Sequence, residues 1–401
     1  MTAAPPSSRE STARECADSI YRYIDRTAIA EPSGFRWLEY DNNQEKGKPS
    51  IYFGEAGISL FLADYHRLTG TGRAAVLAKG ALDWSSAESL WEQSGPDLIF
   101  GYGGMAWAWL HWAQGRQDRE GIDRAVRIAE RVAANATKAS EWGTCTDLIG
   151  GVAGDGLLFL RVWRTTGEPR WLESAVGLGR WLAERKMAVE GGVAWYFFAG
   201  GADKTVFWGA AHGLAGIAVF ISELYEATRA EEWRELATAC VGALEHAAVE
   251  DHGGLNWNRG PGMEPVSRCQ WCHGSPGVGL FMVKAARVLD QPRLLGLAER
   301  AGDAVIGYGD CRKNPSLCHG LAGNAELLID LYRATGKAKW LEAAGRFGEM
   351  IGKYRVEEGG QEAWQSDEPG FTSPNLLCGA AGTGHFLLQL MTAGKLPRVL
   401  P

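Results

Sequence analysis

The sequence has no cluster of positive charge and no long apolar run. Lysine and arginine together number 41 against 48 aspartates and glutamates, which gives a formal net charge of −7. A chain of this charge without a basic run is not expected to bind nucleic acid or an anionic membrane surface. No stretch reaches the roughly 18 consecutive apolar residues that a membrane-spanning helix needs. These absences exclude several classes of partner.

Secretion signals and disulfide scaffolds are also missing. The first residues, MTAAPPSSRESTARE, contain no apolar segment of the kind found in a secretory signal. Eight cysteines in 401 residues are too few for a disulfide-stapled fold. Apolar residues make up 46 % of the chain, enough for a large core. We therefore expect a soluble, cytoplasmic protein whose cysteines are free thiols or metal ligands.

Glycine, by contrast, is abundant and regularly placed. The chain has 53 glycines, and the motif G-x-x-G followed by an apolar run occurs seven times. The glycine pairs are Gly54/Gly57, Gly101/Gly104, Gly151/Gly154, Gly213/Gly216, Gly274/Gly277, Gly320/Gly323 and Gly379/Gly382. Successive pairs are 46 to 62 residues apart, a period typical of repeat architectures. We predict one domain spanning 1–401, built from seven repeats.

Each repeat contains two kinds of helix. The segment after each G-x-x-G, such as GISLFLADYHRL, is apolar nearly all round and predicts a helix buried on most sides. The next segment is amphipathic, and two copies share the pattern T-G-x-x-[RK]-W-L-E-x-A. With an N-terminal helix from about Glu10, seven apolar and seven amphipathic helices are predicted.

Such helices form either an open solenoid or a closed ring. Because the apolar helices have almost no solvent-facing side, we predict an all-α fold, a seven-fold α/α toroid with seven inner and seven outer helices. The glycines would let helices approach closely and would leave backbone N–H groups accessible at helix N-termini. Short strands are expected in the long loops 188–211, 251–271 and 359–377.

Reactive residues recur at fixed positions before the first glycine. Three of the seven residues directly before it are histidines, although the chain has only 8: His212, His273 and His319. Cys272 and Cys318 stand one position earlier. Equivalent positions of a closed repeat array gather at one end, so these side chains are expected to converge.

Cys272, Cys318 and His319 are the natural metal ligands. Two thiolates and one imidazole suit tetrahedral Zn²⁺, and an open fourth position makes such a site catalytic. Cys269 forms a C-x-x-C with Cys272 and, as a fourth ligand, would instead close the site into a structural one. Cysteines that only pack in the core are a third alternative, because free cysteine is often buried.

Candidate acid/base groups accompany these ligands. His212 is a general acid or base, or alternatively a satisfied core histidine. Asp147, four residues before Gly151, orients an imidazole or caps a helix, and Asp97 has the same alternatives at the same offset. Arg268 is a candidate for stabilising an oxyanion, although an arginine on the surface would have no such role.

The remaining tryptophans and cysteines have weaker patterns. Trp195, Trp257 and Trp364 lie in the long loops and are candidates to line a substrate cleft. The cysteines outside the aligned positions are interpreted as packing residues or bystanders. They are Cys16, Cys145, Cys240 and Cys311.

The segments W-C-H-G-S-P-G (271–277) and L-C-H-G-L-A-G (317–323) resemble those of the lanthionine synthetase C family of lanthipeptide cyclases. With the seven G-x-x-G motifs, the resemblance covers nearly the whole chain. It implies an α/α toroid that holds one Zn²⁺ per chain through Cys272, Cys318 and His319. On the family pattern Cys269 is not a ligand.

The resemblance also implies the catalytic residues and the reaction. His212 in A-H-G-L-A-G, Asp147 and Arg268 fall at the family's catalytic positions, and His273 stands where some members have tyrosine. The implied reaction is Michael-type addition of a peptide cysteine thiol to dehydroalanine or dehydrobutyrine, which forms a (methyl)lanthionine ring. The implied partners are a dehydrated precursor peptide with its leader and, in a transient complex, a separate dehydratase.

Three other functions stay open at this point. A related enzyme would add glutathione or another thiol to dehydroamino acids with the same zinc chemistry. A non-catalytic scaffold in a peptide-modifying complex would show no turnover. A glycosidase on an α/α barrel would need paired carboxylates, for which Asp97 with Asp147 is thin support, and it would leave the cysteines and histidines unexplained.

Overall fold

The computed structural model describes residues 8–38, 49–91, 94–116, 118–136, 144–263 and 268–401. Within these ranges the chain is helical with a few short strands, so the predicted all-α class is confirmed. The helices are α1 (Ser8–Thr27), α2 (Glu55–Thr69), α3 (Gly72–Ser85), α4 (Glu88–Trp91), α5 (Gly103–Ala113), α6 (Arg119–Ala133), α7 (Val152–Thr166), α8 (Pro169–Ala183), α9 (Leu214–Thr228), α10 (Glu231–Ala247), α11 (Ser275–Val288), α12 (Arg293–Tyr308), α13 (Leu321–Thr335), α14 (Ala338–Ile351) and α15 (Ala380–Met391).

The strands are short and pair as two-stranded antiparallel ribbons. They are β1 (Ile29–Glu31), β2 (Gly34–Arg36), β3 (Thr144–Cys145), β4 (Met187–Val189), β5 (Gly192–Ala194), β6 (Phe198–Ala199), β7 (Val249–Asp251), β8 (Gly254–Asn256), β9 (Arg355–Glu358) and β10 (Gln361–Trp364). Four ribbons are hairpins, namely β1/β2, β4/β5, β7/β8 and β9/β10, while β3 pairs with β6. Strands therefore occur in all three loops where they were expected.

An apolar helix begins directly at each G-x-x-G motif, as predicted. These seven helices are buried over most of their length, and each of the seven long amphipathic helices buries one side. The apolar helices are α2, α5, α7, α9, α11, α13 and α15; the amphipathic ones are α1, α3, α6, α8, α10, α12 and α14. The short helix α4 is an addition that the sequence pattern did not predict.

The loop before an apolar helix folds back over its N-terminus. The backbone N–H of Leu214 donates to the carbonyl of Phe207, seven residues earlier, and Leu321 bonds in the same way to Asn314. Ala380 repeats the arrangement with Ser373. The first N–H groups of these helices are thus satisfied within the loop. The expectation that the glycines leave them accessible is wrong for these helices.

The second glycine of the motif is a packing position. A β-carbon at Gly154 or Gly216 would collide with a backbone carbonyl oxygen of its own loop. It would also lie 3.1 Å from Leu98 or 2.9 Å from Leu148, which belong to the preceding repeat. In both cases the neighbour stands three residues before the first glycine of its own motif. The same relation holds for the pairs Gly104/Ile51, Gly277/Ala210 and Gly382/Leu317. Glycine at this position therefore permits the close approach that was predicted.

The long-loop tryptophans pack against amphipathic helices. Trp195 donates its indole N–H to the carbonyl of Leu182 at 2.8 Å, and Trp257 donates to Leu244 at 2.7 Å. Trp364 donates to the Ser19 hydroxyl at 3.1 Å. All three side chains are buried, with at most 3 % of their surface exposed. The hypothesis that they line a substrate cleft is therefore wrong: they attach each hairpin to a helix.

The chain divides into two compact units. Unit 1 comprises the described parts of 1–48 together with 52–85 and 308–400, and unit 2 consists mainly of 86–307. In unit 1, α1 packs against α14 and α15, and α2 also packs against α15. The first and last helices of the chain thus meet, as a closed repeat array requires and an open one does not. The single domain over 1–401 stays a prediction.

In unit 2, each apolar helix packs against its own amphipathic partner, as in α5 with α6, α7 with α8 and α9 with α10. Consecutive apolar helices also pack together, since α7 contacts both α5 and α9. Among the described residues, no helix combines the length and the apolar character needed to cross a membrane.

Candidate functional site

In unit 2, His212 and Asp147 form a hydrogen-bonded pair. His212 lies in the loop just before α9, and its Nδ1 is 2.7 Å from Oδ2 of Asp147, which precedes α7. The other carboxylate oxygen of Asp147 accepts the backbone N–H of Gly150 at 2.8 Å. The Asp147 side chain is buried, whereas 31 % of the His212 side chain is exposed. This carboxylate therefore both caps its loop and orients an accessible imidazole.

His273 lies beside this pair. Its ring centroid is 5.9 Å from that of His212 and 5.5 Å from that of Phe207. The Nδ1 atom of His273 is buried and has no hydrogen-bond partner among the described residues. Burial lowers the pKa of His273 to about 4, and the positive charges of Arg268 and Arg259 contribute to the decrease. His273 is consequently neutral at physiological pH.

Further acidic groups surround Asp147. Asp97 accepts the backbone N–H groups of Phe100 and Gly101, both at 2.8 Å, and burial raises its pKa to about 6. The carboxyl group of Asp155 in α7 is fully buried, and this burial raises its pKa well above the usual range. The charges of Asp97 and Asp147 raise the pKa of Asp155 further. Both the burial of Asp155 and its acidic neighbours thus favour the protonated form of this carboxyl group.

Cys272 is buried in the loop before α11, and its Sγ is 3.8 Å from the amide oxygen of Gln270. Cys269 is buried as well. Arg268 is half-buried, and its carbonyl accepts the side-chain amide of Asn256 at 3.0 Å. Unit 2 therefore brings Asp147, His212 and His273 together and places the charge of Arg268 close enough to lower the pKa of His273.

In unit 1, a chain of polar contacts leads to Cys318. The hydroxyl of Tyr52 donates to Cys318 Sγ at 3.4 Å, and Cys378 Sγ donates to the same hydroxyl at 3.4 Å. All three side chains are buried. Burial raises the pKa of the Cys378 thiol. Tyr52 and Cys378 occupy the aligned positions before their glycines, and no function was assigned to them from the sequence.

His319 has a carboxylate partner of its own. Its Nδ1 is 3.0 Å from Oδ2 of Asp367 and 4.0 Å from Sγ of Cys378. The exposed fraction of the His319 side chain is 31 %, the same as for His212. Asp367 was missed in the sequence because it lies far from the G-x-x-G positions, in the loop 359–377, and only the length of that loop marked it.

The eight cysteines were expected to be free thiols or metal ligands. None of the eight forms a disulfide, and the four outside the aligned positions differ in burial. Cys16 and Cys240 are buried, Cys311 is exposed, and Cys145 is half-buried next to Asp147. Burial, followed by the charge of Asp147, raises the pKa of Cys145. Its thiol is thus protonated.

Comparison with known proteins identifies the family. The family model described as "Lanthionine synthetase C-like protein" matches residues 45–400. A curated relative, "Glutathione S-transferase LANCL1" of Danio rerio, is 33 % identical over 125 residues, which cover 31 % of this chain and 29 % of the relative. "LanC-like protein GCL1" of Arabidopsis thaliana is 29 % identical over 153 residues, 38 % of this chain and 34 % of the relative. The matches thus span about a third of these relatives.

Solved structures extend the likeness to the whole fold. The structure of nisin cyclase matches with a TM-score of 0.70 at 16 % identity, covering 95 % of this chain and 94 % of that one. A sugar epimerase from a ruminal bacterium matches with a TM-score of 0.52 at 14 % identity, over 97 % and 100 % of the two chains. At these identities the likeness concerns the fold alone, and the predicted α/α-toroid class is confirmed by the nisin cyclase match. Since the family model covers nearly the entire sequence, the chain belongs to the lanthionine synthetase C-like family.

Proposed function

We propose that this protein is a zinc-dependent lanthipeptide cyclase. It adds a cysteine thiol of a peptide to the β-carbon of a dehydroalanine or dehydrobutyrine in the same peptide. The observation that carries the proposal is the pair formed by His212 and Asp147, in which a buried carboxylate holds a partly exposed imidazole. Membership of the lanthionine synthetase C-like family supports this reaction class.

We assign the metal ligands to Cys272, Cys318 and His319. The assignment rests on the two C-H-G motifs and on the chemistry of the donors, because two reduced thiols and an imidazole with a carboxylate partner suit Zn²⁺. Cys269 is excluded on the family pattern. When bound, the metal lowers the pKa of a coordinated substrate thiol from its free value of about 8.5.

The protein residues act on the other half of the addition. One S–C bond forms at the β-carbon, and the electron pair of the double bond moves towards the adjacent carbonyl as an enolate. The thiol loses one proton and Cα gains one, so the cyclic product is an isomer of the substrate. Asp147 accepts the hydrogen bond from Nδ1–H of His212, so Nε2 is the nitrogen free for proton transfer. Nε2 takes up the proton released by the thiol and delivers it to Cα.

Arg268 and His273 complete this side of the reaction. We assign stabilisation of the enolate oxygen to the guanidinium of Arg268. Since His273 stays neutral above about pH 4, it does not repel a protonated His212 at a ring distance of 5.9 Å. The same uncharged imidazole leaves the positive charge of Arg268 available for the enolate.

Zinc content is the first test. Purified wild type should contain one Zn²⁺ per chain, Cys318→Ala should lose it, and Cys269→Ala should keep it. Cys269 is a matched control because its thiol is as deeply buried as that of Cys318. Wild type without zinc, after purification in the absence of chelators, would contradict the mechanism.

Activity is tested with a synthetic peptide that contains one cysteine and one dehydroalanine. Because cyclisation does not change mass, the reaction is followed by alkylating the remaining thiol and counting alkylated molecules by mass spectrometry. Protection from alkylation by wild type, and not by Cys318→Ala, is the expected outcome. Zinc-loaded protein that gives no protection with this peptide or with authentic dehydrated precursors would favour the scaffold.

A second activity is favoured by one of the comparisons. The zebrafish relative is called a glutathione S-transferase, which points to addition of glutathione to dehydroamino acids with the same residues. The two activities are distinguished by an assay with glutathione and a peptide that contains dehydroalanine but no cysteine. A gain of the mass of glutathione, faster than ring formation in the first peptide, would assign the nucleophile to glutathione.

A further inference from the structure

The contact between His319 and Asp367 supports the choice of His319 as a ligand, but it also bears on which nitrogen of the ring binds the metal. The Nδ1 atom of His319 is 3.0 Å from Oδ2 of Asp367. A carboxylate is only an acceptor, so Nδ1 is the ring nitrogen that carries the proton of this hydrogen bond, and in a metal-binding imidazole the other nitrogen carries none. The lone pair of the ring then lies on Nε2. Asp367 thus determines which nitrogen of His319 is able to bind a metal.

The backbone holds Asp367 firmly in this position. Its N–H donates to the carbonyl of Cys378 at 2.8 Å, and its own carbonyl accepts the side-chain amide of Asn314 at 3.1 Å. Asn314 lies in the loop that leads to His319, and Cys378 lies just before α15. The carboxylate is therefore anchored to the loops of two neighbouring motifs, one of which carries the histidine.

We propose that Asp367 is a positioning residue that fixes the tautomer and ring orientation of His319, so that Nε2 is the metal-binding atom. The proposal rests on the proposed zinc centre. Carboxylates behind histidine ligands orient the ring and raise its basicity, and their loss typically weakens metal affinity by ~10–100-fold. Asp367 touches neither substrate nor metal in this assignment.

A direct ligand role for Asp367 is the competing interpretation. The ligand atoms of His319, Asp367 and Cys378 all lie within 4.8 Å of one another. However, Nδ1 is the ring nitrogen that contacts both partners, and an Nδ1–H that donates a hydrogen bond to Asp367 has no lone pair for a metal. The distances alone therefore favour a hydrogen bond, and the two roles differ in their measurable consequences.

Zinc affinity separates these roles. Competition with a chromophoric chelator is measured for wild type, Asp367→Asn and Asp367→Ala, with Glu368→Gln as the matched control for loss of one negative charge at an exposed neighbour. Asp367→Ala should weaken binding by roughly 10–100-fold. Asp367→Asn keeps an acceptor oxygen and should lose less, and Glu368→Gln should match wild type. Wild-type affinity in Asp367→Ala, or complete loss of stoichiometric zinc in Asp367→Asn, would overturn the proposal.

The tautomer is observed directly by ¹⁵N NMR of histidine-labelled protein. With zinc bound, His319 should carry a proton on Nδ1 and coordinate through Nε2. Coordination through Nδ1 would overturn the proposal even if the affinities changed as expected. His319 is assigned as the histidine whose signals respond to zinc in wild type and whose proton exchange accelerates in Asp367→Ala.

These readouts also separate the failure of the positioning role from failure of the cyclase. Zinc bound through His319 with no effect of Asp367→Ala would end the positioning role and leave the proposed cyclase intact. If Asp367→Ala weakens zinc binding as expected but the wild type forms no thioether, the positioning role would stand and the proposed cyclase would fail. A wild type that binds no zinc would overturn both.

Discussion

Two histidine–aspartate pairs in the molecule have similar distances and a buried carboxylate, but they differ in the exposure of the imidazole and in the ring nitrogen that contacts the carboxylate. In unit 2, His212 Nδ1 is 2.7 Å from Asp147, and 31 % of the His212 side chain is exposed. In unit 1, His385 Nε2 is 3.1 Å from Asp64, and both side chains are completely buried. His212, which lies in the loop before α9, exposes part of its imidazole to solvent. His385 in α15 and Asp64 in α2 expose nothing.

The two rings also differ in which nitrogen contacts the aspartate. Asp147 is hydrogen-bonded to Nδ1 of His212, so Nε2 is the nitrogen available for proton transfer. Asp64 is hydrogen-bonded to Nε2 of His385, and Nδ1 of that ring is buried without a hydrogen-bond partner among the described residues. A carboxylate next to a histidine is therefore not by itself a sign of catalysis. Its position at the start of an apolar helix, rather than within one, decides whether the imidazole is able to reach a substrate.

Substitution of His212 should have the largest effect on activity. His212→Ala removes the proposed proton donor and should slow thioether formation by roughly 10²–10⁴-fold, since general acid assistance is of that size. Zinc content and the free energy of unfolding should stay close to wild type, because the ring is partly exposed. The rate is measured by the alkylation assay, and a rate within threefold of wild type, on the order of 1 kcal/mol or less, would remove His212 from the mechanism.

His385→Ala should give the opposite result. The substitution leaves Asp64 buried without its imidazole partner, although Arg67 still contacts the carboxylate. We expect a loss of about 3 kcal/mol in the free energy of unfolding, measured with urea, and an unchanged rate per folded molecule. His246→Ala is the control, because His246 pairs with Glu190 on an exposed surface and should cost less than about 1 kcal/mol. Equal losses in the two variants would contradict the role of burial.

Asp97 and Asp147 occupy the same offset before their glycines and allow a finer comparison. Burial raises the pKa of Asp97 from its usual 3.8 to about 6. Between these values the folded protein binds more protons than the unfolded chain, so this group's contribution to stability decreases as the pH rises from about 4 to 6.

Asp97→Asn removes that dependence and keeps an oxygen for the N–H groups of Phe100 and Gly101. Relative to wild type, the variant should gain up to about 3 kcal/mol in the free energy of unfolding between pH 4 and pH 7. Urea unfolding at several pH values measures the gain, with the exposed Asp123→Asn as control. A constant difference from wild type across this range would show that Asp97 does not titrate there.

Sequence periodicity was sufficient for the fold and for part of the site. The G-x-x-G spacing predicted every apolar helix, because a buried helix needs an uninterrupted apolar surface and each start is marked by glycine. The same register selected Asp147, His212 and His273, which unit 2 brings together. Assignment of the zinc ligands and of Arg268 remains a prediction.

The residues that were missed or misinterpreted lack a periodic signal. Asp367 reaches His319 from an irregular loop whose conformation depends on hydrogen bonds to Cys378 and Asn314. Trp195 and Trp257 were assigned to a substrate cleft because they lie in long loops, yet each indole donates to a helix carbonyl thirteen positions earlier. Pairing between a loop and a distant helix is a tertiary property, and local composition does not encode it.

The interlocking glycines have a consequence for how such a chain arises. In five motifs the second glycine packs against a side chain of the preceding motif. That side chain stands three residues before the first glycine of the preceding motif. The second, third and fourth motifs therefore carry both the glycine and the side chain that packs against the glycine of the next motif. Tandem duplication of the gene segment for one repeat yields a copy that already fits its neighbour, so a protein of this kind is able to lengthen without first evolving a new interface.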